Sequence, residues 1–198
     1  MPDQPEHLIL ASGSPRRRQL LEAAGYRFEV SPADDAIEAA VPLTPLLRDY
    51  PLALAQAKAR AVCVRFPEGV VLAADTIAVC DDEVLGKPKD ELDARRMLRL
   101  LSGREHEVLT GVVLVDCRSG NELQHLEVTR LRMDSLTEAD LARYLATNLW
   151  RGKAGAFGYQ DGWDWLHVVE GSESNVVGLP IERLSELFAR LGSSQNIP

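Results

Sequence analysis

A short apolar strand that leads straight into a helix is the feature that most restricts the fold of this chain. Residues 7–11, HLILA, are typical of a buried strand, and a serine-glycine turn follows them. Ser14 is a favourable N-cap, Pro15 is a favourable first helical residue, and Gly25 ends the helix. A strand joined in this way to a helix is a building unit of α/β proteins, so we predict an α/β fold.

Three consecutive arginines, Arg16, Arg17 and Arg18, occupy the first turn of this predicted helix. The positive end of the helix dipole disfavours each cation there by about 0.3–1 kcal/mol. One interpretation is a solvated basic turn. The other is a site for an anion with several charges, such as a triphosphate, because the unpaired N–H groups at a helix N-terminus bind phosphate. We favour the second, since the ligand would turn the penalty into attraction.

Strand and helix patterns alternate along the rest of the chain. One predicted helix begins near Pro51, and another begins after the capping residue Asp90 and ends at Gly103. A third begins at the capping box of Thr137 and Asp140 and ends near Trp150, and the last begins at Ile181. The predicted strands are residues 69–79, 106–116 and 123–133. Residues 28–50 are predicted to be rich in loops, 84–90 to be a loop, 80–83 a turn, and 151–180 loop and strand. The order predicts a twisted mixed sheet with helices, in a single domain over residues 1–198.

Composition excludes several classes of protein. The net charge of −8 argues against a broad surface for nucleic-acid polymers. No apolar stretch approaches the roughly 18 residues of a membrane span, and the first residues lack the features of a signal peptide. Cys63, Cys80 and Cys117 are odd in number and far apart, which favours reduced thiols over a disulfide or a zinc site. We therefore expect a cytoplasmic protein.

Asp75 interrupts the apolar run VVLAADTIAV. A buried carboxylate without compensation costs several kcal/mol, so such a residue needs a reason. It could cap a turn at the end of the strand, with help from Thr76. It could instead bind a metal or act as a base, which is the interpretation that we prefer.

Several lysines are ambiguous when taken one at a time. Lys58 lies on a helix rich in apolar residues and alanine, where a surface lysine with a buried stem is the ordinary explanation. Lys87 lies in a loop beside a proline. Lys153 and Gln160 share a glycine-rich segment that could be a flexible hairpin or could let the backbone approach a ligand. The segment GSESNVVGLP could be a turn before the last helix.

Taken together, these segments resemble the Maf family of nucleoside triphosphate pyrophosphatases. The matching segments, in chain order, are LASGSPRR, AKARAV, AADT, LGKP, LSGREHEVLTGV, KAGAFGYQ and NVVGLP. The resemblance extends from Leu8 to about Leu191 and so covers nearly the whole chain. The resemblance implies an elongated α/β fold similar to that of inosine triphosphate pyrophosphatases, with two lobes around a cleft. It also implies hydrolysis of a nucleoside triphosphate to the monophosphate and pyrophosphate with a divalent cation, Mg²⁺ or Mn²⁺.

The resemblance also implies roles for individual residues. The implied catalytic residues are Asp75, as proton acceptor and metal ligand, Lys58 and Lys87. The implied substrate-binding residues are Ser12, Ser14, Arg16, Arg17, Thr76 and Gln160. The acidic residue that the family carries after its second strand is Asp34, Asp35 or Glu38, and the sequence does not choose among them. The family pattern gives Arg18 no role.

Arg16, Thr76 and Gln160 match the branch of the family that acts on dTTP and UTP. The branch that prefers 7-methyl-GTP typically has an aromatic residue at the position of Arg16. We therefore expect dTTP and UTP as preferred substrates, with modified pyrimidine nucleotides also accepted, and the resemblance suggests a homodimer. The alternatives are a pyrophosphatase for 7-methyl-GTP or another nucleotide, and a regulator of cell division that senses nucleotides without hydrolysing them.

Overall fold

A computed structural model describes residues 2–34, 36–43 and 46–193 of the protein. The strands are β1 (Leu8–Leu10), β2 (Glu29–Val30), β3 (Val70–Cys80), β4 (Glu83–Leu85), β5 (Glu105–Asp116), β6 (Glu122–Met133) and β7 (Leu166–Glu170). The helices are α1 (Pro15–Ala23), α2 (Ala36–Ala40), α3 (Tyr50–Cys63), α4 (Glu91–Leu101), α5 (Glu138–Ala146), α6 (Glu173–Val177) and α7 (Ile181–Ser193). The predicted α/β class is confirmed.

Within the described residues, the strands form one sheet in the order β2-β1-β3-β5-β6-β7, and β4 pairs with β3. Strand β1 is parallel to β2 and β3, whereas β4 is antiparallel to β3 and β7 to β6, so the sheet is mixed as predicted. Leu10 lies opposite Leu72 in the β1–β3 register. The turn after β1 and the later residues of β3 therefore meet at one edge of the sheet, where α/β proteins bind ligands.

The first compact unit contains the described residues up to Asp75, the stretch Thr110–Glu127 and the described residues from Gly178 onward. Alternate residues of its strands pack on opposite sides, as the two-residue period of a strand requires. Ile9 and Val71 pack with Ala55, Ala59 and Val62 of α3. The alternate strand residues Leu8, Leu10 and Leu72 pack with Leu21 of α1 and with Leu184 and Phe188 of α7.

The second compact unit contains Thr76–Leu109 and Val128–Val177. Helices α4 and α5 supply much of its core, in which Leu98, Leu101 and Tyr144 are almost fully buried. Strands β3, β5 and β6 each contribute residues to both units. The single domain and the cleft stay predictions.

The local signals in the sequence have mixed outcomes. Asp90 caps α4, since its carboxylate accepts the Asp93 N–H at 2.8 Å, and the capping box of α5 is present. However, α5 ends at Ala146 rather than near Trp150. The segments predicted as loops contain three short elements, β2, α2 and β4, and α6 lies where a turn was expected. These elements span five residues or fewer, too short for a periodic pattern to develop.

The prediction of three reduced thiols is wrong for two of them. Cys63 and Cys117 form a disulfide with a Cα–Cα distance of 5.4 Å, while Cys80 is a buried free thiol. Cys63 ends α3 and Cys117 follows β5, and the packing of α3 on the sheet brings them together. The two cysteines are 54 positions apart in sequence, so their spacing gave no sign of the bond.

Helix α3 begins directly over the backbone of β5. A Cβ atom added at Gly111 would lie 2.5 Å from the carbonyl carbon of Pro51 and from the Leu52 nitrogen. Those atoms are backbone and cannot rotate away, so position 111 has room for glycine only. None of the helices in the described part of the chain is long and apolar enough to cross a membrane.

Candidate active site

The turn after β1 is organised around one hydroxyl group. Ser12 is 8% exposed, and its Oγ accepts hydrogen bonds from the Ser14 N–H at 3.3 Å and from Arg17 Nη1 at 3.1 Å. Ser14 occupies the N-cap position of α1 as predicted, but its side chain makes no capping bond to the helix. The result is a tight serine-glycine turn at a helix N-terminus, a typical site for anions.

The three adjacent arginines have three different environments. Arg17 is buried, and its Nε donates to the Gly178 carbonyl at 2.8 Å. Burial lowers the pKa of the Arg17 guanidinium, the nearby carboxylates of Asp75 and Glu38 oppose this shift, and Arg16 adds to it. These carboxylates offset the unfavourable placement of a cation in the first turn of α1.

Arg16 is half-buried at the start of α1, whereas Arg18 is exposed. The Arg18 Nε donates to Glu22 Oε1 at 2.7 Å, one turn further along the helix, and this bond raises the pKa of Arg18. Arg18, to which the family pattern assigns no role, therefore forms an ordinary surface ion pair.

Lys58 lies between two carboxylates. Its ammonium group donates to Asp75 Oδ1 at 2.5 Å and to Glu38 Oε1 at 2.6 Å. Lys58 is 7% exposed and Asp75 is 9% exposed, so the interpretation of Lys58 as a surface lysine is wrong. Helix α3 places the lysine, β3 places Asp75 and α2 places Glu38. Buried charges of this kind persist only when they are paired.

The structure chooses among the acidic residues of the loop after β2, as far as it describes them. Glu38 contacts Lys58, whereas Asp34 caps the start of α2 by accepting the Ala36 N–H at 2.8 Å. Asp35 lies outside the described residues. Sequence reasoning could not rank these side chains because α2, which places Glu38, is only five residues long.

The remaining predicted site residues belong to the second unit, and their roles stay predictions. Thr76 is half-buried in β3, and Lys87 is exposed in the segment between β4 and α4. Gln160 is exposed in the glycine-rich segment after α5. The Gly155 N–H donates to the Gly86 carbonyl at 3.2 Å, so this segment is attached to the one that carries Lys87.

The two carboxylates beside Lys58 suit a divalent cation that is shared with a phosphate ligand. No group of three histidine, cysteine or acidic side chains converges on a metal position among the residues that the structure describes. Mg²⁺ is commonly held by one or two carboxylates together with the phosphates of its substrate. Asp75 and Glu38 fit such a site.

A serine-glycine turn at a helix N-terminus, beside a buried lysine between two carboxylates at the edge of a mixed sheet, is typical of α/β proteins that bind phosphorylated ligands. Comparison with known proteins is more specific. Residues 7–191 match the family described as Maf-like protein. The chain belongs to the Maf family.

The sequence matches to named relatives cover nearly the whole chain. A dTTP/UTP pyrophosphatase of Rhodopirellula baltica is 53% identical over 185 residues, which are 93% of this chain and 82% of the relative. Proteins of the same name from Anaeromyxobacter dehalogenans and Koribacter versatilis are 48% and 44% identical, with 93% of this chain and 94% of each relative covered. A HAM1 protein from Coxiella burnetii has a similar fold, with a TM-score of 0.51 and 15% identity over 93% of this chain and 98% of that one.

Proposed function

We propose that this protein hydrolyses nucleoside triphosphates to the nucleoside monophosphate and pyrophosphate. The observation that carries the proposal is the Lys58 ammonium bonded to Asp75 and Glu38. These two carboxylates also interact electrostatically with Arg17 at the start of α1. The name dTTP/UTP pyrophosphatase on relatives up to 53% identical supports it. The activity would remove unwanted nucleotides from the pool.

The reaction is the attack of water on phosphorus at the anhydride between the α and β phosphates. Asp75 accepts the proton of the water as the new oxygen–phosphorus bond forms, and pyrophosphate leaves as the anhydride bond breaks. Lys58 holds the Asp75 carboxylate through their hydrogen bond of 2.5 Å. Ser12, Ser14, Arg16 and Arg17 bind the phosphate oxygens at the start of α1, and Lys87 is proposed to contact them as well.

A divalent cation, Mg²⁺ or Mn²⁺, is part of the proposal, and Asp75 and Glu38 are the residues that would hold it. When bound, such an ion neutralises negative charge that builds up on the phosphate oxygens.

Base selection is assigned to Thr76 and Gln160, with Arg16 at the position that distinguishes branches of the family. A uracil or thymine ring presents two carbonyl acceptors on either side of an N–H donor. The Gln160 amide carries both a donor and an acceptor and complements that edge, whereas cytosine reverses part of the pattern. We therefore propose dTTP and UTP as preferred substrates, and expect 5-methyl-UTP to be accepted because a pocket for thymine has room at that carbon.

The experiment that tests this proposal is a comparison of kcat/KM for dTTP, UTP, CTP, GTP and 7-methyl-GTP with Mg²⁺ or Mn²⁺, followed by pyrophosphate release. We expect dTTP and UTP to rank first, because an edge-reading site leaves its own polar groups unpaired with the wrong base. A preference for 7-methyl-GTP or CTP would overturn the pyrimidine assignment. No turnover with any nucleotide, together with tight binding, would instead support a nucleotide sensor.

Asp75→Asn tests the catalytic base. The amide keeps the shape of the carboxylate but cannot accept the proton, so we expect kcat to fall by at least about 10²-fold with the fold retained. The matched control is Asp34→Asn, which alters a carboxylate that caps α2. Normal turnover by a folded Asp75→Asn protein would rule out the assigned role.

The proposal places the enzyme in the cytoplasm, where nucleoside triphosphates are used. The Cys63–Cys117 disulfide removes the support that three reduced thiols would have given to this location. The proposal also includes a homodimer. The net charge of −8 supports a further part of the proposal, that the protein does not bind nucleic-acid polymers.

A further inference from the structure

The glycine-rich segment after α5 contains an ion pair that the proposed reaction does not use. The Lys153 ammonium is bonded to Asp161 Oδ1, and the two side chains are only 11% and 9% exposed. The Tyr144 hydroxyl donates to Asp161 Oδ2 at 2.7 Å, so both carboxylate oxygens are engaged. Burying these charges is costly unless the geometry is well satisfied, and here it is.

The backbone between these residues is fitted closely around the pair. A Cβ atom added at Gly158 would lie 2.6 Å from Asp161 Oδ1 and 2.7 Å from Lys153 Nζ. The Asp161 N–H donates to the Gly158 carbonyl at 3.1 Å, which closes a turn. Gly155 adopts a φ of +66° within the same segment. The ion pair therefore sets the path of the chain from residue 153 to residue 161.

Gln160 lies inside that closed turn, between Gly158 and Asp161, and is itself exposed. Its backbone is held by the turn on one side and by the buried Asp161 side chain on the next residue. A fixed backbone limits the region that the Gln160 side chain can reach, and a defined starting point is one condition for reading the edge of a base with an amide.

We propose that Lys153, Asp161 and Tyr144 form a positioning clasp that fixes Gln160 for selection of the pyrimidine base. The clasp contacts no substrate and acts only through the backbone of the turn. This inference rests on the proposed function, in which Gln160 reads the base. The clasp joins the two ends of the segment, residues 153 and 161. The Gly155 N–H separately attaches the segment to the one that carries Lys87, so loosening the clasp affects base selection more than phosphate binding.

The first test is Asp161→Asn, which removes the charge at nearly constant shape. We expect the ratio of kcat/KM for UTP to that for CTP to fall about tenfold, mainly through KM for UTP, because a mobile Gln160 loses its discrimination. Asp164→Asn is the matched control, since Asp164 is exposed three residues further along. An unchanged ratio in a folded Asp161→Asn protein would overturn the proposal.

Two further variants cover the case in which Asp161→Asn fails to fold. Tyr144→Phe removes one hydroxyl donor and keeps the ring packed against Phe157 and Trp165, so we expect a smaller fall in the same ratio. Lys153→Arg keeps a cation that can pair with the carboxylate and should retain more selectivity than Lys153→Met. A Tyr144→Phe protein with full selectivity and equal selectivity in the two Lys153 variants would contradict the clasp.

Calorimetric titration with UMP and CMP separates this inference from the proposed function. If the protein turns over no nucleotide, the proposed function fails, while a preference for UMP that is lost in Asp161→Asn still supports the clasp. If the wild-type protein hydrolyses UTP but Asp161→Asn binds UMP and CMP with the wild-type preference, only the clasp is wrong.

Discussion

Burial decides what each of the three arginines at the start of α1 does. Arg17 is 9% exposed and bonded to the Gly178 carbonyl and to Ser12, whereas Arg18 is exposed and pairs with Glu22. The helix dipole alone would make every one of these cations unfavourable. In the folded protein, the carboxylates of Asp75 and Glu38 lie close enough to oppose the drop in the pKa of Arg17. The sequence indicated the cluster of charge but not which member is buried.

Arg17→Ala should therefore lower the free energy of unfolding without any ligand, by about 1–3 kcal/mol, because buried hydrogen bonds are lost. Arg18→Ala, the matched control on the next residue, should leave stability nearly unchanged, since an exposed pair contributes little. Urea denaturation of the two variants measures the difference. Equal effects, or a rise in stability for Arg17→Ala, would mean that the dipole dominates.

His106 in β5 predicts a pH dependence of stability. It is 6% exposed, its Nδ1 has no hydrogen-bond partner within the described part of the chain, and burial lowers its pKa from 6.5 to about 4. The unfolded chain takes up the proton near pH 6.5 and the folded protein only near pH 4. The contribution of neutral His106 to the free energy of unfolding is thus fully present above pH 6.5. It falls by about 3 kcal/mol as the pH decreases towards 4.

The variant His106→Leu should remove this part of the pH dependence. The free energies of unfolding of both proteins are measured by denaturation at several pH values from 7 to 4. The wild-type value minus the variant value should decrease as the pH falls. A constant difference between wild type and His106→Leu would show that His106 titrates alike in both states.

At the level of elements, the sequence predicted those whose signals are local and missed those set by packing. Helix α4 begins at its capping aspartate, and β3 carries an apolar run across 11 residues. Helix α6 has five residues, follows Gly171 and includes Asn175, whose amide donates to the Val108 carbonyl at 3.1 Å. That contact joins residues 67 positions apart, so no local pattern could indicate it.

The disulfide between α3 and the segment after β5 also joins residues that are far apart in sequence. It predicts that a reductant lowers the stability of the protein. In the chain-entropy view, a bond that closes 54 residues contributes about 4 kcal/mol to stability. Dithiothreitol should therefore lower Tm of the wild-type protein. It should have no effect on the double variant Cys63→Ser/Cys117→Ser, which retains the buried Cys80. An equal shift of Tm in both proteins would exclude the disulfide as the cause.

At the scale of the whole molecule, the fold class and the family could be predicted from ordered motifs, whereas the geometry of the site could not. Lys58 and Asp75 were both identified, but their bond and the part of Glu38 depend on how α2 and α3 pack. An overall charge of −8 also hides a local excess of cations, because Arg16, Arg17 and Lys58 accompany two carboxylates. Net charge describes the surface and says little about one pocket.

Gly111 sets how closely the start of α3 can approach β5. The start of α3 lies on the bare backbone of β5, with no space for even one methyl group. Any larger residue at position 111 would act as a wedge under the first turn of the helix that carries Lys58. Redesign that widens the space between α3 and β5 can therefore begin from a position whose nearest neighbours are backbone atoms of Pro51 and Leu52. Gly111 serves here through the absence of a side chain.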